Sequence, residues 1–241
     1  MPVDSFHKSK KRTIPGRLAG SRLVWNYILG PGYNKHIMKI GREFYSSFID
    51  MVIDRSEIHP KARILDVGSG PGLLALVLAE KYPDAEVVGV DYSPKQVRTA
   101  DNLLSNSRVY NCSFEVGNAV DLPFEDDSFD VVVSTWSISC WPDIEKGLDE
   151  IHRVLVKGGK AFIVDADSSS TEEEIRLFTK SYAEVGANKR LTEWFTRRFV
   201  FGPTVAITNQ QAEAMANAAC FDNVSVEKRP GLPLFQLKLS K

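Results

Sequence analysis

The chain is poor in cysteine: Cys112, Cys140 and Cys220 are an odd number, far apart, with no C-x-x-C spacing. Neither a disulfide framework nor a cysteine-based zinc site is implied, and three reduced thiols are expected. It also lacks any apolar run long enough to span a bilayer. Lys10, Lys11, Arg12, Pro15, Gly16 and Arg17 break up the stretch where a signal peptide would need its apolar core. A cytoplasmic protein without a membrane span is therefore expected. Neither sign of charge is in excess, and the formal net charge of -1 gives no global pull toward nucleic acid or an anionic membrane. Internal repeats and low-complexity tracts are missing as well.

What is present fits one well-cored α/β domain with a modest cap: 241 residues, 43% hydrophobic and 25% charged. Residues 1–22 carry Lys8, Lys10, Lys11, Arg12, Arg17 and Arg22 against the single acid Asp4. They read as a basic arm, either a solvated tail or a docking strip for an anionic partner. Residues 23–60 turn aromatic and amphipathic, with Gly30-Pro31-Gly32 separating two helical pieces of a cap. Within it Phe44, Phe48, Met51 and Val52 recur at helical spacing and predict one buried face.

The core, residues 61–241, begins with a regular alternation. Strands are predicted over Arg63–Val67, Glu86–Asp91, Ser113–Val116, Phe129–Ser134 and Lys160–Asp165, with helices over Gly72–Lys81, Pro94–Leu104 and Ile144–Leu155. Apolar runs such as Val131-Val132-Val133 suit strands buried on both faces, hence a doubly wound, mostly parallel sheet that binds ligands at its carboxyl edge. After Asp165 a helical lid is expected at about 168–207. It opens with the overlapping capping boxes Ser170-x-x-Glu173 and Thr171-x-x-Glu174, and Ile175, Phe178 and Tyr182 follow on one face. Thr208-x-x-Gln211 caps a last helix through Ala219. Asn223–Lys228 and Leu234–Leu239 then complete a seven-stranded sheet as an antiparallel pair.

Chemistry concentrates at Ile64-Leu65-Asp66-Val67-Gly68-Ser69-Gly70-Pro71-Gly72, a glycine-rich turn between a strand and a helix. Glycine permits the backbone angles of such a turn and lets a ligand approach the main chain. Leu73 stands where the dinucleotide fingerprint requires glycine, and the Gly-Lys-Ser/Thr ending of a phosphate loop is missing. Twenty-five residues after Asp66 the next strand ends at Asp91, the register at which a carboxylate can take both hydroxyls of a ribose. The run from Asp121 to Val132 leads into the fourth strand, and Val154-Leu155-Val156-Lys157-Gly158-Gly159-Lys160 turns out of the following helix.

With these joined motifs, the stretch from Ala62 to about Asp165 resembles the Rossmann-like class I S-adenosylmethionine-dependent methyltransferases. It is most similar to the branch with the menaquinone and ubiquinone C-methyltransferases and many small-molecule enzymes. The resemblance implies that Asp66 lies under the methionine end, that Gly68, Ser69, Gly70 and Gly72 form the cofactor turn, and that Asp91 holds the ribose with Tyr92 beside the adenine. It implies further that Asn118, with Ala119, faces the adenine amino group, that Ser134 and Thr135 border the methionine, and that Tyr33 closes over the cofactor. S-adenosylhomocysteine would be the product, and methyl transfer itself needs no metal. Ser139-Cys140 replaces the paired histidines of many relatives, and Ala219-Cys220-Phe221 replaces their Ala-Gly-Phe.

The acceptor implied is a small, apolar or aromatic molecule, with Trp136, Trp194, Phe195 and Phe199, joined by Phe201, as candidates for its pocket. The same rings would equally serve to seal the lid onto the core. Tyr33, Trp136 and Trp141 could flank the sulfonium by cation–π contact or be plain core. A general base is required only if the attacking atom carries a proton; His36 is the weak candidate, against a solvated or capping role. His152 is expected to be exposed, and Cys140 to be a buried, inert thiol. Three alternatives remain at this point. One is an RNA or protein methyltransferase using the basic arm and Arg197-Arg198, which the absence of an Asn/Asp-Pro-Pro-aromatic sequence after the fourth strand disfavours. The others are a cofactor-binding protein without catalysis and, least favoured because of Leu73, a nicotinamide oxidoreductase.

Overall fold

The computed structural model describes residues 57–185, 206–228 and 231–241, together with Asn34, Met38, Tyr45, Ser46, Ile49, Asp50, Val52, Ile53, Arg190, Arg197 and Phe201; of residues 181–185 it describes the backbone alone. Along the chain these form β1 (Arg63–Val67), α1 (Leu73–Lys81), β2 (Glu86–Asp91), α2 (Pro94–Ser105), β3 (Cys112–Val116) and β4 (Phe129–Thr135). A 3-10 turn (Ile138–Cys140) follows, then α3 (Ile144–Val154), β5 (Leu155–Ala166), α4 (Glu172–Val185), α5 (Asn209–Ala218), β6 (Asn223–Lys228) and β7 (Leu234–Ser240).

The strands make one seven-stranded sheet in the order β3-β2-β1-β4-β5-β7-β6. The first five are parallel, and β7 runs antiparallel between β5 and β6. Winding reverses between β1 and β4, so the crevice of a doubly wound sheet must open at their carboxyl ends. Strand alternation divides the core between two faces. Ile64, Val87, Val131, Val133, Phe162 and Val164 pack with α1, whereas Leu65, Val88, Val132, Ala161 and Ile163 pack with Leu148 and Ile151 of α3 and Ala212 and Ala216 of α5.

Local chemistry sets the helix ends. Ser93 accepts from the Gln96 N–H to cap α2, with Pro94 at its first position. Thr208 and Gln211 form the reciprocal capping box of α5. Before α4, only the second of the two overlapping boxes is closed by both bonds: Thr171 N–H donates to Glu174 at 2.8 Å and Glu174 N–H to Thr171 at 3.2 Å. Ser170 instead turns its hydroxyl inward, without a partner among the described residues.

The structure departs from expectation in several places. β5 starts at Leu155, because the chain leaves α3 directly into an extended stretch: Leu155 pairs with Phe129 and Lys160 with Val131, the surplus residues bulging at Gly158, whose φ is +80°. His152 is half-buried, edge-on to Phe221 at 5.3 Å, and not exposed. The basic arm and most of the cap lie outside the described residues, as do Phe44, Phe48 and Met51 of the expected buried face. In that segment Tyr45, Ile49, Val52 and Ile53 are buried against the α1 side of the sheet. Gln236, in the middle of β7, donates to the Val52 carbonyl at 2.8 Å and so fastens the segment to the sheet.

The connection from β3 to β4, residues 117–128, has almost no regular structure and is held from below chiefly by Arg153, with Glu150 and Lys241 beside it. Arg153 donates to the carbonyls of Phe124 (2.7 Å) and Leu122 (3.0 Å), to Asp126 (2.8 Å) and to both oxygens of Glu150 (2.9 and 2.8 Å). Glu150 accepts in turn from the Leu122 N–H at 2.7 Å, and its hydrogen bonds with Arg153 hold its carboxyl below the usual range. Replacing Arg153 by methionine keeps the aliphatic stem and removes five donors' contacts. The variant is expected to lose roughly 1–3 kcal/mol of stability, discounted for the part-exposed guanidinium, read as a melting temperature lower by roughly 3–10 °C in calorimetry. An unchanged melting temperature would show that the loop holds itself.

Candidate functional site

A cleft opens at the carboxyl edge where the winding reverses, lined from β1 and its turn by Val67, Gly68 and Gly70, from β2 by Val90, Asp91 and Tyr92, and from β4 by Thr135 and Trp136. It encloses about 920 Å³ with its open mouth included. The glycine turn owes its shape to Gly68, Gly70 and Gly72, at φ +76°, +55° and +83°. At Gly68 a Cβ would fall 1.9 Å from Ser137 Oγ, so the loop after β4 rests directly on the turn after β1. The N–H groups of Gly68 and Ser69 both donate to the Val90 carbonyl, at 2.8 and 3.0 Å.

Asp91 organises the opposite wall. One carboxylate oxygen accepts from the Gly70 N–H at 2.9 Å and the other from the Ser93 N–H at 2.8 Å. Each oxygen keeps further lone pairs for a ligand with neighbouring hydroxyls. Burial pushes the carboxyl up to about 6, against the lowering effect of those two N–H groups.

Not every residue of the expected site reaches the cleft. Gly68, Gly70, Asp91, Tyr92, Asn118, Ala119, Thr135 and Trp136 line it; Asp66, Ser69, Gly72 and Ser134 stand behind its wall. Gly72 is glycine for packing, since a Cβ there would lie 2.5 Å from Phe114 and 2.7 Å from Ala100. Ser134 donates to the Val67 carbonyl at 2.8 Å and ties β4 to β1. Ser69 is buried, its hydroxyl without a partner among the described residues. Asn118 uses its side-chain oxygen on the Val120 N–H, 3.3 Å away. Tyr33, His36, Trp194, Phe195 and Phe199 lie outside the described residues.

The aromatic candidates divide. Trp136 lines the cleft at φ +57°, outside the range that a bulky side chain favours, and its ring meets Phe178 of α4 at 5.7 Å. Phe201 is buried edge-on against Phe178 at 5.6 Å and does not line the cleft. Trp141 lines the cleft and donates to Ser137 Oγ at 2.8 Å; Cys140 lines it half-buried. Asp165, at the end of β5, accepts from the Ser139 and Ala166 N–H groups and so holds the 3-10 turn that carries these residues; its burial raises its pKa.

Ser137, which covers Gly68, and Gln96 of α2 are among the cleft residues that escape sequence reasoning, as are Ser93 and Pro142. Gln96 is 3% exposed beside the buried Val97 and Ala100. An amide within the buried face of a helix is a signal that periodicity could have raised.

Below the glycine turn lies Asp66, 1% exposed, with one oxygen unpartnered among the described residues and the Ala75 N–H near the start of α1 bonding the carboxyl. Burial, then the charge of Asp91, pushes it up to about 8. A carboxyl that releases its proton near 3.9 in the unfolded chain and near 8 in the folded one makes the folded state the stronger proton binder between those limits. Its contribution therefore favours folding most below about pH 4 and is lost as pH rises to about 8. Asp66→Asn is expected to flatten that decline and to stabilise the unliganded protein at pH 8 by on the order of 2 kcal/mol, measured as urea midpoints from pH 5 to 9. A variant with the unaltered slope would place the cost elsewhere.

Relatives similar in sequence carry methyltransferase names. A demethylmenaquinone methyltransferase of Thermus thermophilus is 37% identical over 117 residues, 48% of this chain and 51% of that protein. The chloroplastic 2-methyl-6-phytyl-1,4-hydroquinone methyltransferase of Arabidopsis thaliana is 32% identical over 174 residues, 72% of this chain and 47% of that protein. The chain thus spans about half the length of these curated relatives. Among solved structures, a possible histamine N-methyltransferase of Thermotoga maritima superposes with TM-score 0.64 at 16% identity, covering 92% of this chain and 100% of that one. The phosphoethanolamine N-methyltransferase 2 of Haemonchus contortus, solved with S-adenosyl-L-methionine, gives 0.63 at 21% over 86% of this chain and 45% of that one. At such identities they share the fold. The family model described as a methyltransferase domain matches residues 58–219, a span that holds the glycine turn, Asp91 and the whole described cleft, and this chain belongs to that methyltransferase domain family.

Proposed function

We propose that this chain transfers a methyl group from S-adenosylmethionine to a small, apolar or aromatic acceptor of the hydroquinone kind. The observation that carries the cofactor assignment is the Asp91 carboxylate, fixed by the Gly70 and Ser93 N–H groups while its outer lone pairs face the cleft. A ribose diol is the ligand feature that such a carboxylate takes in both oxygens at once. Gly68 and Gly70 open their main chain toward the remainder of the cofactor, and Tyr92, Asn118 and Ala119 provide a flat, partly polar berth for its base.

When bound, S-adenosylmethionine supplies an electrophilic methyl on a cationic sulfur, open to in-line attack. The protein's part is to hold that methyl and the attacking atom in a near-attack arrangement and to exclude water. Trp136 and Trp141 are the indole rings of the cleft wall, a residue type suited to a sulfonium. The acceptor class rests on the aromatic contact of Trp136 with Phe178, and of Phe178 with Phe201, next to the β4 end of the cleft, and on the quinol substrates in the relatives' names.

Calorimetric titration with S-adenosylmethionine, S-adenosylhomocysteine and NAD tests the cofactor. Binding of the first two in the micromolar range with no heat from NAD is expected; silence from both overturns the proposal. Label from S-adenosylmethionine carrying a radioactive methyl is then expected in solvent-extractable hydroquinones and not in RNA. Asp91→Ala is expected to weaken cofactor binding by about 1.5–3 kcal/mol, the worth of a charge-assisted contact. Since the diol needs the ionised carboxylate, wild-type affinity is expected to be level above about pH 7 and to fall as pH drops through about 6. In Asp91→Asn that fall should vanish.

A further inference from the structure

Gln96 projects from the first turn of α2 into the cleft wall, and neither its amide oxygen nor its amide nitrogen has a hydrogen-bond partner among the described residues. At 3% exposure it has little access to bulk solvent in compensation. A buried primary amide offers two donors and two acceptor lone pairs, and leaving them unmet costs free energy that folding elsewhere must offset. Buried polar groups in native proteins are nearly always paired, so one that is unpaired in the free protein and faces a ligand cleft points to a partner that arrives with the ligand. On the helix itself it shares the buried face with Val97 and Ala100, at 7% and 0% exposure. Methionine or leucine would fill such a site without penalty, which makes the amide itself the feature to be explained.

Where Gln96 sits decides which part of a ligand it meets. The cleft runs from the β4 end, lined by Thr135, Trp136 and Ser137, to the β2 and β3 ends, lined by Asp91, Tyr92 and Asn118. α2 follows β2 and packs on β2 and β3. Gln96 therefore stands on the Asp91 and Asn118 side, away from the loop after β4.

We propose that Gln96 is a specificity-determining residue whose amide hydrogen-bonds the adenosine half of the cofactor, and that it is kept at the expense of the free protein's stability. The proposal rests on the cleft being the S-adenosylmethionine site. It makes the effects of one substitution opposite in sign, which a structural glutamine would not do. A glutamine that holds the fold loses stability on replacement. One that waits for a ligand gives a more stable free protein and a weaker complex.

The experiment compares wild type with Gln96→Met, which conserves length and removes both donors and acceptors, by calorimetric titration and thermal unfolding. S-adenosylmethionine, S-adenosylhomocysteine and 5′-methylthioadenosine, which retains the nucleoside and lacks the amino acid, are the probes. The expected result is a melting temperature raised by roughly 2 °C or more without ligand, and binding of all three probes weakened roughly tenfold. Unchanged affinities, or a lowered melting temperature with affinities intact, overturn the role of Gln96. Weakening for the two amino-acid-bearing probes with none for methylthioadenosine overturns its placement at the adenosine half. If wild type binds none of the probes, it is the cofactor assignment that fails. Gln96→Leu, shorter and branched, serves as a second variant should the first not fold.

Discussion

Everything in the cleft depends on one carboxylate bridging two strands' ends. Asp91 receives the Gly70 N–H from the turn after β1 and the Ser93 N–H from the start of α2. It thereby fixes the glycine turn relative to the helix that carries Gln96. A neutral residue could satisfy one of those donors but not present two equivalent acceptors with lone pairs left over. The same charge acts at a distance, since after burial it is what pushes Asp66 upward. Two acids thus share a small dry volume, the outer one toward its ionised state and the inner one toward its protonated state. That division suits a site in which only the outer carboxylate faces a ligand.

Buried polar atoms without partners gather at this edge of the sheet, whereas left-handed non-glycine backbone occurs at both edges, at Trp136 here and at Asp127 opposite. Trp136 holds a left-handed backbone, Ser69 and Gln96 keep polar atoms without partners among the described residues, and the Ser137 hydroxyl stands where a Gly68 Cβ would fall. The opposite edge is different. Arg63 donates its N–H to Asp130 at 2.7 Å and its guanidinium to the Ser128 carbonyl and to Glu86, while the Asn111 amide reaches the carbonyls of Ala79, Tyr82 and Ala85. Both edges belong to the same strands, so the contrast does not come from strand propensity. It is the pattern expected when one end of a scaffold supplies stability that the other end spends on binding.

Much of this was legible because it is local. Strand and helix limits follow from periodicity and from caps such as Ser93 and Thr208, and every strand is found within a few residues of its expected place, β5 apart, which the bulge at Gly158 lengthens. The glycine turn and Asp91 were legible for the same reason, each being a short segment with a strand before and a helix after. What escaped depends on residues distant in sequence. Gly72 looks like part of the ligand turn, yet Phe114 and Ala100 dictate it. Ser134 looks like a cleft residue, yet its hydroxyl answers the Val67 carbonyl, sixty-seven positions earlier. Ser137 gains its meaning only when β4 pairs with β1 and lays it over Gly68. Gln96 was hidden differently: its residue type suits the exposed face of α2, and only its spacing with Val97 and Ala100 sets it on the buried one.

Trp136 joins the strand framework of the cleft to the helix α4 beside it. Its N–H donates to the Val164 carbonyl at 2.9 Å, so its backbone is an extension of the β4–β5 pairing and cannot drift. Its side chain, thrown outward by the left-handed φ, lines the cleft and also meets Phe178 of α4. Phe178 in turn packs on Phe201, and Ala166, Ala206 and Ile175 complete that small apolar cluster. A displacement of α4 therefore has to move the Trp136 ring or open a gap beside it, and tight packing makes the first the less costly. The cleft wall and α4 are in this way one mechanical unit, with a rigid backbone at one end and a repackable aromatic cluster at the other. Changes in α4 can reshape the cleft beside that ring while leaving the Asp91 side, two strands away in the sheet, undisturbed.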